Sequence, residues 1–160
     1  MKYYISDHIS WDEATSSATA KANDIDNIPN AMHVRNMKKV AQRVFEPLRD
    51  WVGGAIKVTS FYRSEALCEA IGSSRKSQHT TGQAIDIDDT FGHKTNAEMF
   101  EYLKDEIDFD QLIWEFGNEE NPDWLHISYV SPQQNRNQIL VAYRDEDDNI
   151  CYKFYAQEEI

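Results

Sequence analysis

The stretch Ser77-Gln78-His79-Thr80-Thr81-Gly82-Gln83-Ala84-Ile85-Asp86 sets an imidazole and a carboxylate seven positions apart across a glycine. Gly82 permits a tight turn where a side chain would crowd a bound ion or demand a disfavoured backbone angle. Beyond it, Ala84 to Asp88 alternates as a strand, with Ala84, Asp86 and Asp88 on one face and Ile85 and Ile87 on the other. A carboxylate in a strand whose opposite face is apolar needs a compensating partner, and a metal cation is one. The local fold is thereby narrowed to a loop, a turn and a half-buried strand.

A second imidazole lies downstream in Asp123-Trp124-Leu125-His126-Ile127-Ser128-Tyr129. The same pleat places Trp124, His126 and Ser128 together, opposite Leu125, Ile127 and Tyr129. If the two strands pair, Asp86 and His126 converge on one ion, and His79 completes a His/Asp/His set. Three protein ligands with a fourth position open to water distinguish a hydrolytic zinc site from a closed structural one. Mixed oxygen and imidazole ligands suit zinc without excluding other divalent metals. Each residue alone has a plainer reading. A lone histidine is usually a surface or core side chain, an aspartate near a glycine is usually a turn residue, and Asp88-Asp89 reads as solvated charge at a strand end.

The 160 residues fit one domain with a real core. Apolar residues make up 41% of the chain and aromatics 12%, so disorder is not the default. A formal charge of −12 argues against nucleic-acid binding, which needs a basic footprint. It equally disfavours unaided attachment to an anionic membrane. Cys68 and Cys151 are far apart, lack a CxxC partner, and read as free buried thiols. The segment Met1 to His8 has no long apolar run, so neither a signal peptide nor a membrane span is expected.

Residues 1–28 read as a cap with a polar helix after Ser10, which stands in capping-box spacing with Glu13. Pro29 to Val52 is the clearest helix, stopped by Gly53-Gly54, with Pro47 placed to kink it. Ile56 to Arg63 alternates as a strand. Ser64 to Ile71 reads as a short helix ending at Gly72, and Thr95 to Ile107 as an amphipathic one capped by Thr95 or Asn96. From Gln111 the chain becomes β-rich, with strands expected over 111–116, 124–130, 137–144 and 150–156 and a turn at Asp145–Asn149. Helices first and strands later predict an α+β domain with helices packed on a small antiparallel sheet. The expected divisions are the cap, a motif-bearing core over 29–130, and C-terminal strands over 131–160.

Four ordered blocks carry a resemblance. Ser77-x-His79-x-x-Gly82-x-Ala84-x-Asp86 followed by Trp124-Leu125-His126 resembles the zinc D-alanyl-D-alanine carboxypeptidase family, peptidoglycan peptidases and phage endolysins with the Hedgehog/DD-peptidase fold. Ser60-Phe61-Tyr62-Arg63-Ser64 is similar to that family's S-G-Y-R-S segment, and Gln111 to Phe116 matches the strand before the last ligand. Four blocks in order are far more specific than a bare HxxGxxxD.

The resemblance implies one zinc ion held by His79, Asp86 and His126. It implies Arg63 as the cation that anchors a substrate carboxylate or steadies the oxyanion, a role that suits a forked, permanently charged guanidinium. The plain alternative for Arg63 is a salt bridge at a strand end. Ser77 and Trp124 are expected at the substrate, Ser77 with loop capping as its alternative. Asp123, three positions before His126, is the favoured general base. Glu115 is its competitor, because partial burial in a strand would lift its pKa toward the useful range. His8, His33 and His93 match no ligand position.

The resulting expectation is a monomeric zinc peptidase acting on a peptide bond of the peptidoglycan stem or cross-link, as carboxypeptidase or endopeptidase. Small size fits a phage or bacterial lysis enzyme made in the cytoplasm, reaching the wall by holin-assisted release or inside a virion. Two alternatives stand beside it. One is a catalytically inactive zinc-binding interaction domain of the same fold. The other is a calcium or protein-interaction module, disfavoured because neither Asp86-Ile87-Asp88-Asp89 nor Asp145–Asp148 has EF-hand spacing.

Overall fold

A computed structural model describes residues 2–156, so the last four positions of the expected C-terminal segment lie outside it. The chain opens with a small hairpin, β1 (Tyr4–Ser6) and β2 (Ile9–Ser10), that sequence patterning does not announce. Ser6 and His8 fix this hairpin to Glu46, the Ser6 hydroxyl at 2.7 Å and the His8 ring at 2.7 Å.

The single polar helix expected after Ser10 is instead two short ones, α1 (Trp11–Thr15) and α2 (Ala18–Ala22). The Ser10/Glu13 capping box starts the first. The break follows from Ser17, whose hydroxyl accepts from the Ala20 N–H and so starts a new helix in place of continuing the old.

The long helix is α3 (Ala31–Val40), a wide π turn over Ala41–Phe45, and α4 (Glu46–Val52), ended by Gly53 at φ 74°. Glu46 N–H bonds to Ala41 carbonyl, one residue farther back than in an α-helix. Pro47 follows directly and has no N–H to give the preceding turn, so the distortion sits just ahead of it. Asn30 and His33 form the capping box of α3, and the His33 ring stacks on Tyr62 with centroids 5.0 Å apart. The remaining helices are α5 (Glu65–Ala70), capped by Ser64, and α6 (Asn96–Glu106), which carries a Thr95/Glu98 capping box.

Six strands make the main sheet: β3 (Lys57–Ser60), β4 (Ala84–Asp88), β5 (Gln111–Glu115), β6 (Trp124–Ser128), β7 (Gln138–Arg144) and β8 (Ile150–Phe154). Their spatial order is β3-β4-β6-β5-β7-β8. The α+β class is as expected, but the sheet is mixed and not wholly antiparallel, because β5 and β7 run parallel. The reason is topological. Residues 129–137 leave the end of β6, which lies beside the start of β5, and pass to the other side of β5 at that same end. The next strand must then run in the direction of β5.

One face of the sheet is covered by helices. Ile85, Ile87, Leu112, Trp114, Leu125 and Ile127 bury there with Met37, Val40, Val44, Leu48, Met99, Phe100 and Leu103. Phe100 anchors this side, meeting Trp114 and Tyr155 edge-on at 5.1 Å each. Strand alternation consequently turns Asp86, His126, Ile113, Glu115, Ala142 and Tyr152 to the opposite face. Among the described residues no helix is long and apolar enough to cross a membrane. Cys68 is buried, whereas Cys151 is only half-buried, because it sits on the edge strand and not in the core.

Candidate metal centre

Two of the three candidate ligands are set by strand register. β4 and β6 pair antiparallel with Asp86 directly across from His126, on the face away from the helices. The third comes from a 3-10 turn, Gln78–Thr81, started by the Ser77 hydroxyl accepting from His79 N–H at 3.3 Å and ended by Gly82 at φ 76°. A Cβ on Gly82 would lie 2.5 Å from the His33 carbonyl oxygen. The glycine is therefore required by helix α3 and by its own backbone angle, and not by crowding at the ligands.

This turn is tied down at several points. Arg63 N–H donates to the His79 carbonyl at 3.2 Å, and the Asn36 amide to the Thr81 carbonyl at 2.9 Å. The Gln78 amide donates to Asp110 at 2.9 Å, and Asp110 is gripped by both arms of Arg136 at 2.9 and 2.8 Å. Those bonds, led by Arg136, hold the Asp110 carboxyl down at about 2.

His79, Asp86 and His126 each present one ligand atom, all within 4.8 Å of one another. Asp86 Oδ1 lies 3.2 Å from His79 Nε2 and 3.0 Å from His126 Nδ1. Burial alone would push the Asp86 carboxyl up, but the flanking imidazoles outweigh it and hold the group far below the usual range. The pKa of His79, 2% exposed, is also lowered, but here burial is the cause and outweighs the pull of Asp86. Its Nδ1 is 2.7 Å from the Phe61 carbonyl, which only accepts, so Nδ1 carries the proton. In the neutral ring Nε2 then offers a lone pair toward a carboxylate oxygen. Two donors of electron density facing each other call for a cation between them. The residues thus fit a divalent metal, and the Phe61 carbonyl orients the imidazole as outer partners of metal-bound histidines do.

The other predicted residues fall into distinct places. Arg63 donates to Asp86 Oδ2 at 2.8 Å and to the Ser60 hydroxyl at 2.6 Å, so part of its fork is committed to a candidate ligand. Ser77 serves the turn, its carbonyl also accepting from the Thr80 hydroxyl at 2.6 Å. Trp124 stands on the ligand face, its ring 5.4 Å from that of Phe116. Glu115 is opposite Trp124 in the β5–β6 register and only 7% exposed. Burial raises its pKa to about 7, with Asp86 adding to the rise while His126 and Arg63 oppose it. Asp123 is exposed at the bend before β6, and its N–H donates to the Glu115 carbonyl at 2.9 Å. The two candidate acids are therefore neighbours, one inside and one outside.

His8 and His33 hold secondary structure together, as described, and neither belongs to the ligand cluster. Sequence reasoning missed the Phe61 carbonyl, which no side-chain pattern reveals, and the Gln78–Asp110–Arg136 brace. It also missed Tyr152, whose pKa is raised by burial and then by the charges of Glu115 and Asp86. The alternation of β8 was the available signal.

No protein of curated function matches the chain. Residues 7–128, by contrast, match the family model described as Peptidase M15, which spans all three candidate ligands and both acids. With most of its length inside that match, the chain belongs to the Peptidase M15 family, the family of zinc D-Ala-D-Ala carboxypeptidases.

Proposed function

We propose that this protein is a zinc peptidase that hydrolyses a peptide bond in the stem or cross-link of peptidoglycan. The observation that carries the reading is the convergence of His79, Asp86 and His126 on one point of the sheet face opposite the helices. Family membership supports peptidase activity. The wall substrate and the zinc are the parts that this reading adds.

His79 and His126 would hold the ion through imidazole nitrogens and Asp86 through Oδ1, while Arg63 keeps Oδ2 engaged. Zinc supplies Lewis acidity, activating water and polarising the scissile carbonyl. The adjacent acids divide the proton work by exposure. Asp123, open to solvent three positions before His126, is the acid this reading assigns as general base. Glu115 is buried beside the ligands, and in the metal-free protein burial lifts its pKa to about 7. In this reading the Arg63 guanidinium, already beside Asp86, is the cation for a developing oxyanion or a substrate carboxylate.

The test is direct. Protein reconstituted with one equivalent of zinc is incubated with purified peptidoglycan of several wall types, and released fragments are sequenced by mass spectrometry. Fragments ending at a stem or cross-link bond support the proposal. Stoichiometric zinc with no fragment from any wall would instead leave a metal-binding interaction domain.

A further inference from the structure

Strand register lays two rows of residues across the face opposite the helices, running perpendicular to the strands; both rows are largely buried at their centre and open out at β8. One row is Asp86–His126–Ile113–Leu140–Phe154, and the next is Trp124–Glu115–Ala142–Tyr152. The candidate ligands lie at one end of these rows. At the other end, on edge strand β8, Tyr152 is 56% and Phe154 is 72% exposed. Just beyond the strand, Tyr155 turns to the helix side and packs on Phe100. Exposed aromatics on the opposite side therefore do not serve the core.

Some other exposed rings have internal partners. Trp51 is stacked on Tyr102 at 4.5 Å and has the Lys94 ammonium 5.1 Å from its ring. Tyr152 differs in being coupled to the metal centre. Ala142, the residue between it and Glu115, is fully buried on this face, and only a methyl group separates the two larger side chains. The charges of Glu115 and Asp86 are felt at the phenol. The β7–β8 hairpin lies wholly outside the family match, which ends at residue 128, so it is an addition to the part of the chain that carries the ligands.

We infer that Tyr152 and Phe154 form a subsite for an extended peptide substrate, binding the stretch roughly four residues from the scissile bond. The distance follows from geometry. β8 is three strand spacings from β6, about 14 Å at ~4.8 Å per spacing, and an extended peptide covers ~3.3 Å per residue. The two rings offer flat apolar area for the aliphatic parts of such a peptide, and the Tyr152 hydroxyl offers a donor to its backbone. A substrate crossing the sheet in this way favours endopeptidase action, or long stems, over cleavage of dipeptides.

This inference rests on the peptidase reading, and its test separates the two. Steady-state kinetics are compared for a two-residue and a five-residue stem peptide with parent protein, Tyr152→Phe, and the double variant Tyr152→Ala/Phe154→Ala. Both side chains are exposed, so the variants should fold. The double variant should raise KM for the long peptide about tenfold, with kcat and the short peptide unchanged. Tyr152→Phe should keep most of the affinity. An equal change for both peptides, or none for the long one, overturns the subsite. If the parent cleaves nothing, the peptidase reading fails, and calorimetric binding of the five-residue peptide decides the subsite alone. Binding about tenfold weaker in the double variant upholds it, whereas equal binding or none to the parent overturns it.

Discussion

The guanidinium of Arg63 donates to Asp86 Oδ2 at 2.8 Å, which leaves Oδ1 to face His79 and His126. One carboxylate is thus shared between a fixed cation and an ion-binding point. Arg63 orients the ligand and, by its own charge, limits how much negative potential the site offers. Outer partners of metal ligands typically affect affinity by 10- to 100-fold. Arg63→Ala should weaken zinc binding by about tenfold or more, read by competition with a chromogenic chelator. Unchanged affinity would show that Asp86 needs no orientation from Arg63.

The ligands themselves should behave differently from their brace. His79→Ala, Asp86→Asn and His126→Ala each remove one of three protein ligands, and each should reduce bound zinc well below one equivalent after dialysis. Elemental analysis checks this without any assay of hydrolysis. Full retention of zinc in any of the three would exclude that residue from the centre.

Glu115 links the site to stability. Its pKa is raised from an ordinary 4.5 to about 7, so between those values the folded chain holds a proton that the unfolded chain has released. The folded state binds more protons in that window, and stability falls as pH rises through it. The interval corresponds to about 3 kcal/mol at ~1.4 kcal/mol per tenfold. For metal-free protein, Glu115→Gln should be more stable than the parent by about 2–3 kcal/mol at pH 8 and nearly equal to it at pH 4. Urea unfolding at the two pH values decides. A difference that does not change with pH would mean that Glu115 titrates normally.

Much of this architecture was legible because it rests on local rules. The alternation around Asp86 and around His126 gave the face of each, and antiparallel pairing then placed them opposite one another. Ser10/Glu13 spacing and a cap at Thr95 or Asn96 announced helix starts, and the structure makes Thr95 the cap. What stayed hidden depends on contacts between distant segments or on backbone groups. The parallel β5–β7 pair is decided by where residues 129–137 cross, a path with no periodic pattern. The burial of Glu115, by contrast, was expected from its place in a strand, and the structure leaves it 7% exposed with Asp123 outside. The reach of Arg63 to Asp86 was hidden too, because sequence spacing cannot show it.

The two acids can be separated kinetically. Asp123→Asn should lower kcat by about 100-fold or more at every pH with zinc content unchanged, since general bases contribute about 10²–10⁴. Glu115→Gln should instead leave kcat within about tenfold of the parent, with zinc content unchanged, since the larger factor belongs to the general base. If Glu115→Gln abolishes turnover and Asp123→Asn is nearly neutral, the base is Glu115.

Gly82 provides the sharpest test of how the fold delivers His79. Gly82 and Gly72 both occupy the left-handed region, at φ 76° and 77°, but only at Gly82 would a Cβ meet another atom, the His33 carbonyl oxygen at 2.5 Å. Alanine at Gly72 bears the backbone term alone, about 1–2 kcal/mol. At Gly82 it must also push α3 from the turn that presents His79, so Gly82→Ala should lose about 2–4 kcal/mol. It should also weaken zinc binding, whereas Gly72→Ala should leave zinc affinity unchanged. Urea unfolding and chelator competition measured on the same two variants check both halves. Equal losses in the two variants would show that the turn yields without moving the ligand, and that contact with α3 does not position His79.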